Sequence, residues 1–313
     1  MDANTVKNVL VVGSGVMGNS IAQVFASTGM NVVLVDVAEE VLSRAILLIE
    51  SSLNTLADLG KISKDKIPSI LSRIKTSTSL TEMAGHVDFV IEAVPEVPEI
   101  KKKVFSQLDE FCAADTVIAS NTSGLDIFSL TDVKRPERLI IAHFFAPAHI
   151  IPLVEVVPGA KTSAEVISFT VRLMERADKS PILLNEFVPS FIVNRIQIAI
   201  SLAAQEMLEK GWANAEDIDR AVKLSLGIRL PIVGVVQTWD FNGLDLSRDV
   251  LKSVGRDSSF FEKKIAQGHL GVKTSRGVYD YGGRSEAEIL KKRDELFLKM
   301  LDYLRNINAF EPV

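Results

Sequence analysis

The sequence predicts an α/β protein in two parts: a doubly wound, mainly parallel β-sheet over residues 1–186 and an all-α segment over 187–313. Three observations carry this. A β-branched run, Val9-Leu10-Val11-Val12, leads into Gly13-Ser14-Gly15-Val16-Met17-Gly18 and an amphipathic stretch from Asn19 to Ser27. Strand-like and helix-like stretches then alternate to about residue 185, the pattern of βαβ units. After Val188-Pro189 only helical periodicity remains.

The first unit is the dinucleotide fingerprint in its structural setting: strand, glycine turn, helix, strand, acid. Gly13 allows the tight turn, Gly15 leaves room for a pyrophosphate, and Gly18 lets helix and strand pack closely. The helix start, with the N–H groups of Val16 and Met17, presents a partial positive charge to phosphate. Val32 to Val35 forms the second strand, and Asp36 at its end can accept hydrogen bonds from ribose hydroxyls. No cation stands at Val37 or Ala38 to hold a 2′-phosphate. NAD is therefore expected over NADP, bound by a Rossmann-type sheet.

Glu39 to Leu59 reads as a long amphipathic helix ended by Gly60. Ser63-Lys64-Asp65-Lys66 opens a second helix running to Arg73. This helical hairpin is an insertion in the alternation. Strands follow at Val87–Val94, Val117–Ala119, Leu139–Phe144, Leu153–Val157 and Ser180–Asn185, with helices at Lys101–Cys112 and Ala164–Arg176. The all-α part begins with a helix from Phe191 to Glu209, closed by Gly211. Asn214-Ala215-Glu216-Asp217 caps another helix.

The chain has 313 residues, 47% of them hydrophobic and 24% charged, with a formal net charge of −5. A large core is thus available and disorder is disfavoured. Acidic and basic residues are interspersed and no basic run exceeds Lys101-Lys102-Lys103, which argues against a nucleic-acid partner. The single cysteine, Cys112, excludes an internal disulfide and a cysteine metal cluster; no metal is expected. No signal peptide and no membrane-spanning run are read, so a cytoplasmic protein is expected. His86 and His269 read as surface residues; His149 is left open.

Three polar islands interrupt the apolar pattern. They are Ser120-Asn121-Thr122-Ser123-Gly124, His143 with Glu155 further on, and Asn194 within Phe191-Ile192-Val193-Asn194-Arg195. Alcohol oxidation needs a base of near-neutral pKa, and histidine is the usual one. A carboxylate behind the ring fixes its tautomer, and hydroxyl or amide donors polarise a carbonyl.

With the glycine fingerprint, Ile91-Glu92-Ala93-Val94-Pro95-Glu96, His143-Phe144-Phe145, Leu153-Val154-Glu155-Val156 and Gly271-Val272-Lys273-Thr274, the chain resembles the 3-hydroxyacyl-CoA dehydrogenase family over nearly its whole length. The resemblance implies His143 as general base, Glu155 as its partner, and Ser123 and Asn194 holding the reacting oxygen. It implies Glu96, Lys101 and Asn121 among the cofactor contacts, Ser52 on the substrate side, and a homodimer through the helical part.

Several residues depart from the family pattern. Ala146 stands where asparagine is usual, Gly124 where serine is, and Ser190 where glycine is. Asp58 and Leu59 occupy positions that carry lysines in members binding coenzyme A, although Lys61, Lys64 and Lys66 are near. Gly227 to Gly234 resembles the branch acting on free acids, and Arg229 could grip a carboxylate with two parallel bonds. The expected substrate is therefore a small free 3-hydroxy acid, with a hydroxyacyl-CoA thioester as the alternative. A non-enzymatic NAD-binding structural or sensor protein is the alternative of another class.

Overall fold

The structure, a computed structural model, describes residues 1–311. It comprises two compact units, Met1–Ala199 and the chain from Ile200 onward.

The first unit is built on one eight-stranded sheet in the order β3-β2-β1-β4-β5-β6-β7-β8. In chain order its elements are β1 (Asn8–Val12), α1 (Val16–Ser27), β2 (Asn31–Val35), α2 (Glu39–Asp58), α3 (Ile67–Leu71), β3 (Ile74–Ser77), α4 (Leu80–Ala84), β4 (Phe89–Glu92), α5 (Pro98–Phe111) and β5 (Val117–Ser120). They continue with α6 (Ile127–Leu130), β6 (Leu139–Phe144), β7 (Leu153–Pro158), α7 (Ala164–Arg176), β8 (Ser180–Leu183) and the start of α8 (Val193–Glu209), which runs on into the second unit. All neighbouring strands run parallel except β6 and β7.

Alternate residues of a strand face opposite sides, and the core divides accordingly. Val9, Val11, Leu34 and Ile91 pack with Ile21, Phe25, Leu42, Ile49 and Leu173 on one face. Leu10, Val12, Val90 and Ile141 pack with Phe105 and Leu108 on the other. Burial on both faces is why these strands read as continuous apolar runs.

The structure adds β3 and α4, which the sequence analysis passed over. In β3 only Ile74 is buried, so this edge strand carries little apolar signal. The second arm of the insertion is broken into a 3₁₀ turn, Lys64–Lys66, and the short α3, with Pro68 in its first turn. The units divide inside α8, because Phe191 is buried and Glu155 accepts hydrogen bonds from the N–H groups of Ile192 and Val193.

The second unit holds α9 (Ala215–Leu224), α10 (Leu226–Asn242), α11 (Leu244–Ser253), α12 (Ser259–Ala266) and α13 (Glu286–Asn306). Asn214 caps α9 as expected, accepting from the Asp217 N–H. Buried Asp240 organises the Gly271–Tyr281 loops, accepting from the N–H groups of Val278 and Tyr279 and from the Tyr281 hydroxyl. His269, expected on the surface, is half-buried, its Nδ1 has no partner among the described residues, and its N–H donates back to the Lys264 carbonyl in the last turn of α12. No single helix among the described residues is long and apolar enough to cross a membrane.

Candidate active site

The glycine turn sits at the carboxyl end of β1, where open α/β sheets bind ligands. Gly13 has φ +97°, and a Cβ there would lie 2.6 Å from the Ala93 carbonyl oxygen. A Cβ on Gly18 would lie 1.7 Å from the Gly13 oxygen. Both glycines are thus required by the protein itself. Gly15 is different: a Cβ there would meet no protein atom within 4 Å. It is the N-cap of α1, and no side chain caps that helix. A close approach from outside and uncapped N–H groups are what a pyrophosphate needs.

The groove beside this turn has a volume of about 410 Å³. Its lining includes Gly13, Gly15, Val16, Met17, Asp36, Glu96, Asn121 and Ser123. Asp36 is also a structural acceptor. Its Oδ2 takes hydrogen bonds from Ser14 N–H (2.6 Å) and Oγ (2.7 Å), and its Oδ1 from Val37 N–H. The brace by Ser14 is a tertiary contact with no signal in the local sequence.

Behind the groove lies a buried charge network at the ends of β4 and β5. Glu92 and Ser120 are register partners. Glu92 is fully buried and accepts from Lys101 Nζ (2.7 Å), Ser120 Oγ (2.5 Å) and Val94 N–H (2.8 Å). Lys101, expected to touch the cofactor, is only 1% exposed and does not line the groove. Its ammonium also reaches Glu96 at 3.1 Å and so anchors a groove residue. Burial alone would raise the Glu96 pKa. Hydrogen bonds from Thr122, Lys101 and Ser123 N–H outweigh it and hold the carboxyl below the usual range.

His143 and Glu155 are directly opposed across the antiparallel β6–β7 pair, which puts their side chains on one face. His143 Nδ1 lies 2.8 Å from Glu155 Oε2, with both residues buried. The other oxygen of Glu155 accepts from the N–H groups of Ile192 (3.0 Å) and Val193 (2.9 Å) at the start of α8. Burial opposes ionisation of Glu155, but these bonds prevail and lower its pKa. Phe145 and Phe191 flank the imidazole, with ring centroids 4.5 and 5.3 Å away. Neither ring was singled out in the sequence, although both adjoin residues that were.

Asn194 Nδ2 donates to the Ser123 carbonyl oxygen at 3.2 Å, joining the first and third islands. Asn121 lines the groove through a residue otherwise used internally, since its Oδ1 accepts from Phe144 N–H. Ser52 donates to Gln23 Oε1. His149 Nδ1 lies 2.8 Å from Ser20 Oγ, tying the β6–β7 connection to α1, and burial lowers its pKa. Cys112 is packed at the end of α5, its thiol pushed up to about 11 by burial. Arg229 lies in the first turn of α10 and bonds Ser225 Oγ at 3.0 Å. A larger cavity of about 720 Å³, lined by residues including Phe128, Asp132, Lys161 and Phe187, contains none of the expected site residues. Among the described residues, no group of His, Cys, Asp and Glu is arranged to hold a metal ion.

A nucleotide groove beside a buried histidine–carboxylate pair defines an NAD-dependent oxidoreductase acting on CH–OH groups. The family models described as "3-hydroxyacyl-CoA dehydrogenase, NAD binding domain" and "3-hydroxyacyl-CoA dehydrogenase, C-terminal domain" match residues 8–187 and 191–281. The chain belongs to the 3-hydroxyacyl-CoA dehydrogenase family. It is 36% identical to the probable 3-hydroxybutyryl-CoA dehydrogenase of Bacillus subtilis, over 88% of this chain and 98% of that protein. A solved 3-hydroxyacyl-CoA dehydrogenase from Archaeoglobus fulgidus superposes with a TM-score of 0.78 at 29% identity, covering 95% of this chain and 99% of that one. A 5-formyl-3-hydroxy-2-methylpyridine 4-carboxylic acid 5-dehydrogenase, an NAD+-dependent dismutase, gives 0.72 at 27% identity, over 98% and 100%.

Replacing Asp36 tests the cofactor groove. Asp36→Ala is expected to raise the KM for NAD about tenfold or more, as for loss of bonds to a charged acceptor, and to narrow the preference over NADP. Ser14→Ala, which keeps the carboxylate, is the control. Initial rates with both cofactors read the result; an unchanged preference in Asp36→Ala would remove Asp36 from ribose recognition.

Proposed function

We propose that this protein reversibly oxidises the 3-hydroxyl of a small free 3-hydroxy acid to a 3-keto group, with His143 as general base. The observation that carries the reading is the buried His143–Glu155 pair, 2.8 Å apart. When bound, NAD supplies the hydride acceptor. An ionised carboxylate only accepts hydrogen bonds, so Nδ1 of His143 carries the proton toward Glu155. Nε2 then keeps its lone pair and takes the proton of the 3-hydroxyl. The imidazolium so formed faces the Glu155 carboxylate, which stabilises it. Ser123 and Asn194 are the donors to the reacting oxygen, and in the reverse direction they polarise the carbonyl.

Three observations support a free acid. Asp58 and Leu59 are exposed where the family resemblance places lysines. Among the described residues Arg229 bonds only Ser225, which leaves guanidinium donors for a carboxylate. The dismutase whose structure matches 98% of this chain is named for a carboxylic acid. A second reading, a hydroxyacyl-CoA thioester, is favoured by the names of the relatives and by exposed Lys61, Lys64 and Lys66. The exposed apolar residues of α8, among them Ile196, Ile200 and Leu202, support a homodimer in either case.

NADH formation from 3-hydroxybutyrate and from 3-hydroxybutyryl-CoA at mildly alkaline pH separates the readings. Turnover of the acid is the expected result. Strong turnover of the thioester with none of the acid would replace the first reading by the second.

A further inference from the structure

Ser190 and Phe191 both adopt positive φ, +66° and +50°, a region that disfavours residues with a Cβ. For Phe191 the compensation is visible. It is 1% exposed and packs against His143 and Phe187. For Ser190 no such compensation is found among the described residues. Its side chain is half-buried, and none of the hydrogen bonds among the described residues uses its hydroxyl. Glycine would serve the protein better at this position. Backbone strain without an internal return points to a role outside the fold.

Its position indicates the role. Ser190 faces Gly124: a Cβ on Gly124 would lie 3.5 Å from the Ser190 nitrogen and 3.8 Å from its Oγ. Ser123, next to Gly124, lines the cofactor groove and accepts from Asn194 through its carbonyl. Phe191, next to Ser190, lies on the His143 ring. The unpaired hydroxyl is therefore held between neighbours of the proposed base and of both proposed oxygen donors.

We infer that Ser190 is a substrate contact: its hydroxyl donates to the C1 oxygen, two carbons from the reacting 3-hydroxyl. The inference rests on the proposed dehydrogenase reading and deepens it by requiring a 1,3-dioxygenated substrate. A carboxylate or a thioester carbonyl supplies the same acceptor, and a simple secondary alcohol supplies none.

The test compares Ser190→Ala, which removes only the hydroxyl, with Ser190→Gly, which also removes the strain. Substrates are 3-hydroxybutyrate, 3-hydroxybutyryl-CoA and 2-butanol. For whichever 1,3-oxygenated partner the wild type uses, kcat/KM falls about ten- to a hundredfold in both variants. The loss lies mainly in KM, with the KM for NAD and the rate on 2-butanol unchanged. Ser190→Gly melts at or above the wild-type temperature, a gain that a merely structural serine would not give. The arm that responds identifies acid or thioester as the source of the oxygen. Wild-type kcat/KM in both variants overturns the inference alone. A wild type inactive on both oxygenated substrates overturns it together with the dehydrogenase reading.

Discussion

His143→Gln is expected to lower kcat by about 10²–10⁴-fold, the usual worth of a positioned general base, while leaving NAD affinity nearly unchanged. Glutamine can occupy the ring's place and still donate to Glu155, but it has no basic nitrogen to take the substrate proton. The groove residues that would hold the cofactor, among them Gly15, Asp36 and Glu96, are left untouched. Steady-state rates with NADH fluorescence titration check both halves. Near-normal kcat would remove His143 from the chemistry. The Glu155 side of the pair adds a pH signature. Its carboxyl is held below its ordinary pKa, so its stabilisation is complete above the unfolded carboxylate pKa and is lost as pH falls through the folded value. Acid should therefore loosen the β7–α8 tie, since Glu155 then accepts less strongly from Ile192 and Val193.

Lys101→Met is expected to destabilise the first unit by about 3–5 kcal/mol, the cost of leaving a buried charge unpaired. Glu92 would keep Ser120 Oγ and Val94 N–H but lose the one cation it meets among the described residues. Glu96 would keep Thr122 and Ser123 N–H. For a unit of this size the melting temperature should fall by roughly 10 °C. The double variant Glu92→Leu/Lys101→Met should recover much of the loss, because an apolar pair of similar volume needs no compensation. Thermal melts of the three proteins decide it. A single variant as stable as the wild type would mean that Glu92 takes up a proton at little cost.

Much of the fold was legible because its strands are buried on both faces. Leu139–Phe144 reads as a strand from its apolar run and is one, with every residue buried. Ala164–Arg176 shows its helical period and is a helix, to which the structure adds a Ser163 cap. Ile74–Ser77 was not legible, since an edge strand with one buried residue has no pattern to read. Lys101 shows what packing adds. The resemblance implies it as a cofactor contact, and only the tertiary packing of α5 brings its ammonium to Glu92.

By itself the sequence determined which chemistries were available: a glycine turn made for a dinucleotide, one histidine in an apolar strand, an acid in the next. These follow from side-chain type and local period. The tertiary structure alone decided that the acid meets the histidine. Antiparallel register sets Glu155 opposite His143, and a shift of one residue would have turned the carboxylate to the other face of the sheet.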